Sequence, residues 1–140
     1  MLDIGTVIRT GWYNAMHNTI GEVRIFDEYD LDKPSSPYIV LSTQTEQQVV
    51  NDGTFLYNCT IAIKVVAFDT KVVGKITVEN IGNKILALIS DARTGPFTLP
   101  DPLVLMDTKL IGTNTMPMQT DGRVYITKIF RFHHIVSQTF

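Results

Sequence analysis

Apolar residues recur along the chain at two spacings, and the change from one to the other marks the predicted elements. Near the start, apolar residues spaced mostly three or four positions apart predict an amphipathic helix with one apolar stripe. These residues are Leu2, Ile4, Ile8, Trp12, Ala15 and Met16. A second stripe predicts another helix over residues 75–90. Its members are Val78, Ile81, Ile85, Leu88 and Ile89.

Elsewhere the apolar residues follow the two-residue period of strands. The clearest run covers residues 54–69, and one of its faces is apolar throughout and is expected to face the core. That face comprises Phe55, Tyr57, Cys59, Ile61, Ile63, Val65 and Ala67. Shorter strand patterns occupy residues 23–26, 38–44 and 103–112, and a long one covers residues 123–137. Both faces of this last strand are partly apolar, which indicates a central or interface-facing position.

Turn and loop signals separate these patterns. Asn51-Asp52-Gly53 predicts a hairpin turn, residues 71–74 interrupt the pattern, and residues 116–122 are typical of a loop. The resulting order is α-β-β-β-α-β-β. It predicts a single α+β domain over residues 1–140, with a mainly antiparallel sheet of about four to five strands and two helices packed on one face.

The composition narrows the class of protein but does not indicate its function. The chain has 140 residues, of which 44% are hydrophobic and 19% charged, as in a folded domain. Lys and Arg number 12 against 14 Asp and Glu, so the net charge of -2 leaves no basic excess for binding phosphates. No apolar stretch approaches about 18 residues, so we expect no transmembrane helix. The N-terminus lacks the pattern of a signal peptide and is expected to be a structural helix.

The histidines are poorly spaced for shared metal coordination. His133 and His134 are neighbours in a predicted strand, where their side chains point to opposite faces. His17 belongs to another element. We therefore expect hydrogen-bonded strand histidines and no metal site.

Four acidic residues cluster within a proline- and serine-containing segment, residues 27–37. They are Asp27, Glu28, Asp30 and Asp32. The segment lacks the glycine and the distant Glu of a calcium-binding EF-hand loop. We expect a solvated acidic loop, and the functional alternative is an electrostatic contact with a partner subunit.

The sequence offers no strong candidate for catalysis or cofactor binding. Cys59, the single cysteine, lies mid-strand on the apolar face, where burial should raise its pKa and blunt its reactivity. It cannot form an internal disulfide. Asn58-Cys59-Thr60 matches the glycosylation sequon, which we interpret as a chance match within a strand. Neither phosphate-binding glycine loops nor a GxSxG motif occur.

Aromatic residues on the two long strands could in principle stack on nucleic-acid bases. They are Phe55, Tyr57, Phe130 and Phe132. Such platforms also need a basic groove, and Arg123, Lys128 and Arg131 are too few to form one. Core packing is the favoured role.

Five segments spread over most of the chain share a pattern with one known group of proteins. The segments are MLDIGTVIRTGW, the strand start PYIV, CTIAIKVVAFD, VENIGNKILALIS and FRFHHIVSQ. Together they resemble the small tail-completion proteins of tailed bacteriophages and prophages, the group that includes tail terminators and tail-to-head joining proteins.

The resemblance implies a structural virion protein, and neither an enzyme nor a cofactor-binding protein. Subunits of that group form a ring, usually hexameric, that caps the tail tube and then docks on the head connector. The implied partners are copies of the chain, the tail-tube protein and the head-tail connector protein, with DNA as passing cargo and no membrane. The implied location is the tail or neck of the virion, assembled in the cytoplasm of the bacterial host.

The predicted loops are the expected docking sites, because loops carry most recognition residues. They are residues 27–37, 45–54, 69–75, 91–102 and 113–122. Two alternatives stay open. One is another neck or tail-tube structural protein. The other is a small ligand-binding or enzymatic α+β domain, whose site would draw on the acidic segment and on His133 or His134.

Overall fold

A computed structural model describes two helices and one five-stranded sheet. The described residues are 3–20, 23–27, 37–51, 54–69, 71–90, 95–120 and 123–138. The helices are α1 (Ile4–Thr19) and α2 (Lys71–Ser90). The strands are β1 (Arg24–Asp27), β2 (Tyr38–Asn51), β3 (Thr54–Asp69), β4 (Leu103–Thr120) and β5 (Arg123–Gln138). This order confirms the predicted α-β-β-β-α-β-β arrangement and the α+β class.

The sheet has the spatial order β1-β2-β3-β5-β4. Only β1 pairs in parallel with its neighbour, through Arg24–Asp27 against Tyr38–Leu41, and the other three pairings are antiparallel. Both helices pack on the same face, where they bury the apolar face of β3 and the matching residues of β5. That face of β3 is the one predicted from the two-residue period.

Helix α1 begins with a side-chain cap and is held by its apolar stripe. Asp3 accepts hydrogen bonds from the backbone N–H and the hydroxyl of Thr6, at 3.3 and 2.8 Å. The predicted stripe is buried against the sheet through Ile4, Ile8, Trp12 and Met16. Packing of this stripe outweighs the helix-weakening glycines inside α1.

Helix α2 lies close to the sheet because one of its residues has no side chain. A Cβ atom at Gly82 would lie 2.6 Å from Cζ of Phe130, a ring on β5 that is completely buried. Glycine therefore sets the distance between the helix and the sheet at this point. Val78, Ile81 and Ile85 complete the contact from the same helix.

The predicted element boundaries were wrong at three places. Helix α2 begins at Lys71 and not at residue 75, because the helical backbone continues through Val72, Val73 and Gly74 despite their weak intrinsic propensity. Strand β2 continues past residue 44 to Asn51, because pairing with β3 satisfies its backbone groups whatever the side chains are. The predicted loops 45–54 and 69–75 therefore lie largely in regular structure.

Strand β4 was also underpredicted. It continues past residue 112 to Thr120, paired with β5 along its whole length. Pro117 is tolerated because β4 is an edge strand, where a missing N–H costs no ladder hydrogen bond. The predicted loop 113–122 is thus strand up to Thr120, whereas residues 28–36, 52–53, 91–94 and 121–122 of the predicted turns and loops lie outside the described residues.

Candidate functional site

The three histidines are kept apart. His133 and His134 lie on opposite faces of β5, as predicted, and only His134 is on the helix-covered face. His17 is exposed on α1, where it stacks on Tyr13 with ring centroids 5.7 Å apart. Among the residues that the structure describes, no group of three or more His, Cys, Asp or Glu is arranged to hold a metal ion.

His134 is completely buried and makes two hydrogen bonds. Trp12 Nε1 donates to His134 Nε2 at 2.8 Å. Because an indole N–H is only a donor, Nε2 must be the unprotonated nitrogen, so Nδ1 carries the proton and donates to the carbonyl of Cys59 at 3.0 Å. Burial lowers the pKa of His134 from 6.5 to about 4, against a smaller opposing effect of the Cys59 carbonyl. The imidazole is therefore a neutral structural group at neutral pH.

Cys59 is a core residue, as predicted. Its side chain is completely buried, and burial raises the pKa of the thiol to about 12. A thiol in this setting stays protonated and unreactive. Thr60 of the sequon is also buried within the strand, which leaves no loop at this position.

The acidic segment is described only at its start. Asp27 ends β1, and its carboxylate lies 3.3 Å from Nε of Arg9 on α1. The other three acidic candidates, Glu28, Asp30 and Asp32, lie outside the described residues.

A different carboxyl pair joins α1 to the sheet. Glu46 of β2 accepts a hydrogen bond of 2.6 Å from the backbone N–H of Gly5, at the N-terminus of the helix. Burial raises the pKa of Glu46, and its hydrogen bond with Asp3 acts in the same direction. Hydrogen bonds from Thr6 lower the pKa of Asp3. This pair therefore serves to anchor the helix start on β2.

The aromatic candidates belong to the core. Phe130, Phe132 and Tyr57 are buried under the helices, and Phe55 packs against the same cluster. Trp12 stacks over Phe132 with ring centroids 4.8 Å apart. None of these four strand aromatics forms an open platform for bases.

The sheet itself is a further accessible feature. Its second face points away from both helices and carries Lys64, Arg131 and His133 at its centre, on β3 and β5. Smaller side chains between them, such as Ala62 and Thr127, are shielded by their neighbours in the sheet. This face combines apolar and polar side chains and has no described helix on it.

The edge strand β4 contains two irregularities that the sequence reasoning missed. Its register with β5 skips Met106 and then Ile111, so each is the extra residue of a β-bulge. Their exposed fractions are 59% and 53%, among the largest of the apolar side chains. The signal in the sequence was the pair of adjacent apolar residues at each place, Leu105-Met106 and Leu110-Ile111, which breaks strict alternation.

The opposite edge of the sheet is also partly open. Strand β1 pairs only with Tyr38–Leu41, so the described part of β2 after Leu41 has a neighbour on one side only. A pocket of about 290 Å³ opens beside this part of β2. It is lined by Asp3, Ile4, Glu46, Gln47, Gln48, Tyr57 and Asn58.

A second cleft, of about 470 Å³, lies where the end of α1 faces α2. Thr77, Asn80 and Lys84 of α2 supply its polar lining, and Ile20 and Ile81 its apolar part. Its described lining contains no carboxylate, histidine or cysteine.

No helix in the described part of the chain is long and apolar enough to cross a membrane.

Comparisons with known proteins identify the fold. No known protein family matches the chain, and no curated protein is similar to it in sequence. Among solved structures, it is similar to a chain of the "virion of native gene transfer agent (GTA) particle". The likeness covers 96% of this chain and 98% of that one, with a TM-score of 0.65 and 13% sequence identity. The chain therefore shares the whole fold of that virion protein.

Proposed function

We propose that this chain is a structural subunit of a tailed-phage or prophage virion, which forms a ring on the end of the tail tube and joins that tube to the head connector. The observation that carries the proposal is the end-to-end fold likeness to a chain of a gene transfer agent virion, at TM-score 0.65 over 96% of this chain. The resemblance of the sequence to tail-completion proteins supports the same kind of particle.

The dimensions of the sheet support a role in assembly. Strands β2 to β5 have 14 to 18 residues, whereas strands of about five or six residues are usual. Among the described residues, the sheet thus offers more surface than its two helices cover, including the face opposite the helices, the β4 edge and part of the β2 edge. In a ring, part of this surface meets neighbouring copies, and the rest is left for the tube on one side and the connector on the other.

The proposal assigns the chain no reaction and no cofactor. Of the titratable residues singled out in the sequence, Cys59 and His134 lie in the core, and Asp27 lies beside Arg9. The net charge of -2 supports the view that DNA is a passing cargo, because a conduit must not hold its cargo tightly. We propose a hexamer as the ring, assembled in the host cytoplasm and carried in the tail or neck of the virion.

Electron microscopy of the purified chain tests this proposal. We expect single rings in solution, or rings seated on the ends of purified tail tubes when these are added. Long tubes formed by the chain alone would instead favour a tail-tube role. Monomers only, even beside tail tubes, would contradict the proposal.

A thermal-shift screen tests the enzymatic alternative. Divalent cations and nucleotides are added separately, because a ligand that binds only the folded state must stabilise it. We expect no saturable shift. A large, saturable increase in Tm with any of these ligands would favour a ligand-binding or catalytic domain.

A further inference from the structure

The two sheet edges that no described strand covers, β4 and the part of β2 after Leu41, lie on opposite sides and run in opposite directions. Strand β2 is antiparallel to β3, β3 to β5, and β5 to β4, so β4 runs opposite to β2. If neighbouring copies are related by a rotation about an axis that runs roughly along the strands, β4 of one copy lies beside β2 of the next in the antiparallel sense. Antiparallel strands exchange hydrogen bonds efficiently at such a junction.

The free parts of the two edges also lie at the same level in the sheet. The register across β2, β3, β5 and β4 places Thr43 level with Ile61, Phe132 and Leu110. In the same way, it places the hairpin end of β2 level with Leu103. The open part of β2 therefore faces the Leu103–Leu110 half of β4. Strand β1 blocks the other half of β2, at the level of Thr113 to Met116.

The Leu103–Met106 part of the free half of β4 carries neither a charged residue nor a proline, whereas the exposed Asp107 and Lys109 follow it. Natural edges place charged residues, prolines or bulges where pairing must be avoided. Pro117 lies beyond the half that faces open β2, and the first bulge within that half carries Met106, an apolar residue that is 59% exposed. Val104, two residues earlier, is also exposed and apolar. Within this half of β4, the exposed Val104 and Met106 thus form a short apolar ridge.

A complementary surface lies on β2 at the matching level. Val49 is exposed on the same sheet face and in the same row as Val104. The pocket beside Ile4 and Tyr57 spans the rows of Leu105, Asp107 and Thr108, and Met106 is the extra residue between the first two of these rows. A ridge on one edge and a pocket on the other make a heterologous contact, which closes into a ring when the rotation permits.

We infer that copies of this chain associate head to tail through strand pairing between Leu103–Leu110 of one copy and the open part of β2 of the next, with Met106 seated at the pocket beside Ile4 and Tyr57. The inference rests on the proposed ring function and names the contact that builds the ring. The occupant of this edge is therefore a second copy of the chain, and the sheet continues from one subunit to the next.

Cysteine cross-linking tests the contact directly. Met106→Cys is combined with Gln47→Cys or Gln48→Cys, because adjacent strands bring Cα atoms within disulfide range, about 4.4–6.8 Å. Cys59 is buried and serves as an unreactive background thiol. We expect a ladder of cross-linked oligomers in denaturing gels from at least one double variant, and none from the single variants or from Ile76→Cys with Gln48→Cys.

Association measurements with matched charged variants complete the test. Met106→Lys is expected to weaken association about 10- to 100-fold, whereas Ile76→Lys, at an equally exposed apolar position on α2, leaves it unchanged. Dimers from Met106→Cys alone would mean edge-to-edge pairing and overturn the inference. Rings that form but neither cross-link at these pairs nor respond to Met106→Lys would overturn the inference and leave the proposed function standing. A wild-type chain that stays monomeric at all concentrations, even beside purified tail tubes, would contradict both.

Discussion

Trp12 Nε1 donates a hydrogen bond of 2.8 Å to Nε2 of His134, and both side chains are completely buried. The two residues are 122 positions apart, so this bond ties the first helix to the last strand. Removing one partner of such a buried hydrogen bond is costly, because the other partner stays buried without a hydrogen bond.

Trp12→Phe is therefore expected to lower the free energy of unfolding by about 2–4 kcal/mol, from the unpaired imidazole nitrogen and the smaller ring. Urea denaturation measures this change. The control is Tyr13→Phe, one position along the same helix and 42% exposed, for which we expect a change within about 0.5 kcal/mol. Equal effects of the two variants would show that the Trp12–His134 bond contributes nothing specific.

His134 is expected to make the fold acid-sensitive. Burial lowers its pKa to about 4 from 6.5, so between these values the unfolded chain binds a proton that the folded chain does not. Stability therefore rises with pH across this window: the contribution of His134 is complete above about pH 6.5 and is lost as the pH falls towards 4. When this contribution is lost completely, the free energy of unfolding falls by about 3 kcal/mol.

Urea denaturation at several pH values between 4 and 7 measures this loss, with His134→Gln as the non-titrating comparison. A glutamine amide keeps both a donor and an acceptor, and we expect its variant to show a flatter dependence of stability on pH. Parallel curves for the wild type and the variant would contradict the role of His134.

Gly82→Ala is expected to destabilise the fold even though alanine favours helices. The new Cβ would lie 2.6 Å from the buried ring of Phe130, and we expect a net loss of about 1–3 kcal/mol from overpacking. Gly112→Ala is the matched control, because a Cβ there meets nothing within 4 Å. Stabilisation by Gly82→Ala would mean that the helix is free to move away from the sheet.

Cys59 is expected to resist thiol reagents in the folded protein. Its side chain is completely buried, so reagents cannot reach the sulfur. Its pKa is raised to about 12, so the reactive thiolate is scarce near pH 8. A colorimetric thiol assay is expected to detect no fast reaction in buffer and one thiol per chain in denaturant. Rapid modification of the native protein would place this thiol outside the core.

The periodicity of the sequence predicted the order of elements because each apolar stripe has a single face to bury, as the buried residues of α1 and β3 illustrate. The ends of elements escaped prediction. In residues 45–51 and 113–120 the strand is maintained by backbone pairing, which does not depend on side-chain polarity. The bulges at Met106 and Ile111 were visible as broken alternation, but their exposure depends on the position of β4 at the edge, which only the tertiary fold decides.

The Trp12–His134 pair was not predictable either, because its partners are distant in sequence and a single histidine carries no spacing signal. The parallel pairing of β1 with β2 was likewise not predictable, because it depends on the path of the chain between the two strands. Contacts between residues that are distant in sequence can thus be identified only once the fold is known. Residues that share one face of one helix or strand can be identified from the sequence.

Native mass spectrometry across a range of concentrations tests most directly the claim that this chain works by assembling with copies of itself. We expect one dominant closed oligomer whose mass is a fixed integer multiple of 15.7 kDa and does not increase at higher concentration. A monomer at every concentration that also forms no ring beside purified tail tubes would contradict the claim, and so would a polymer that grows without limit.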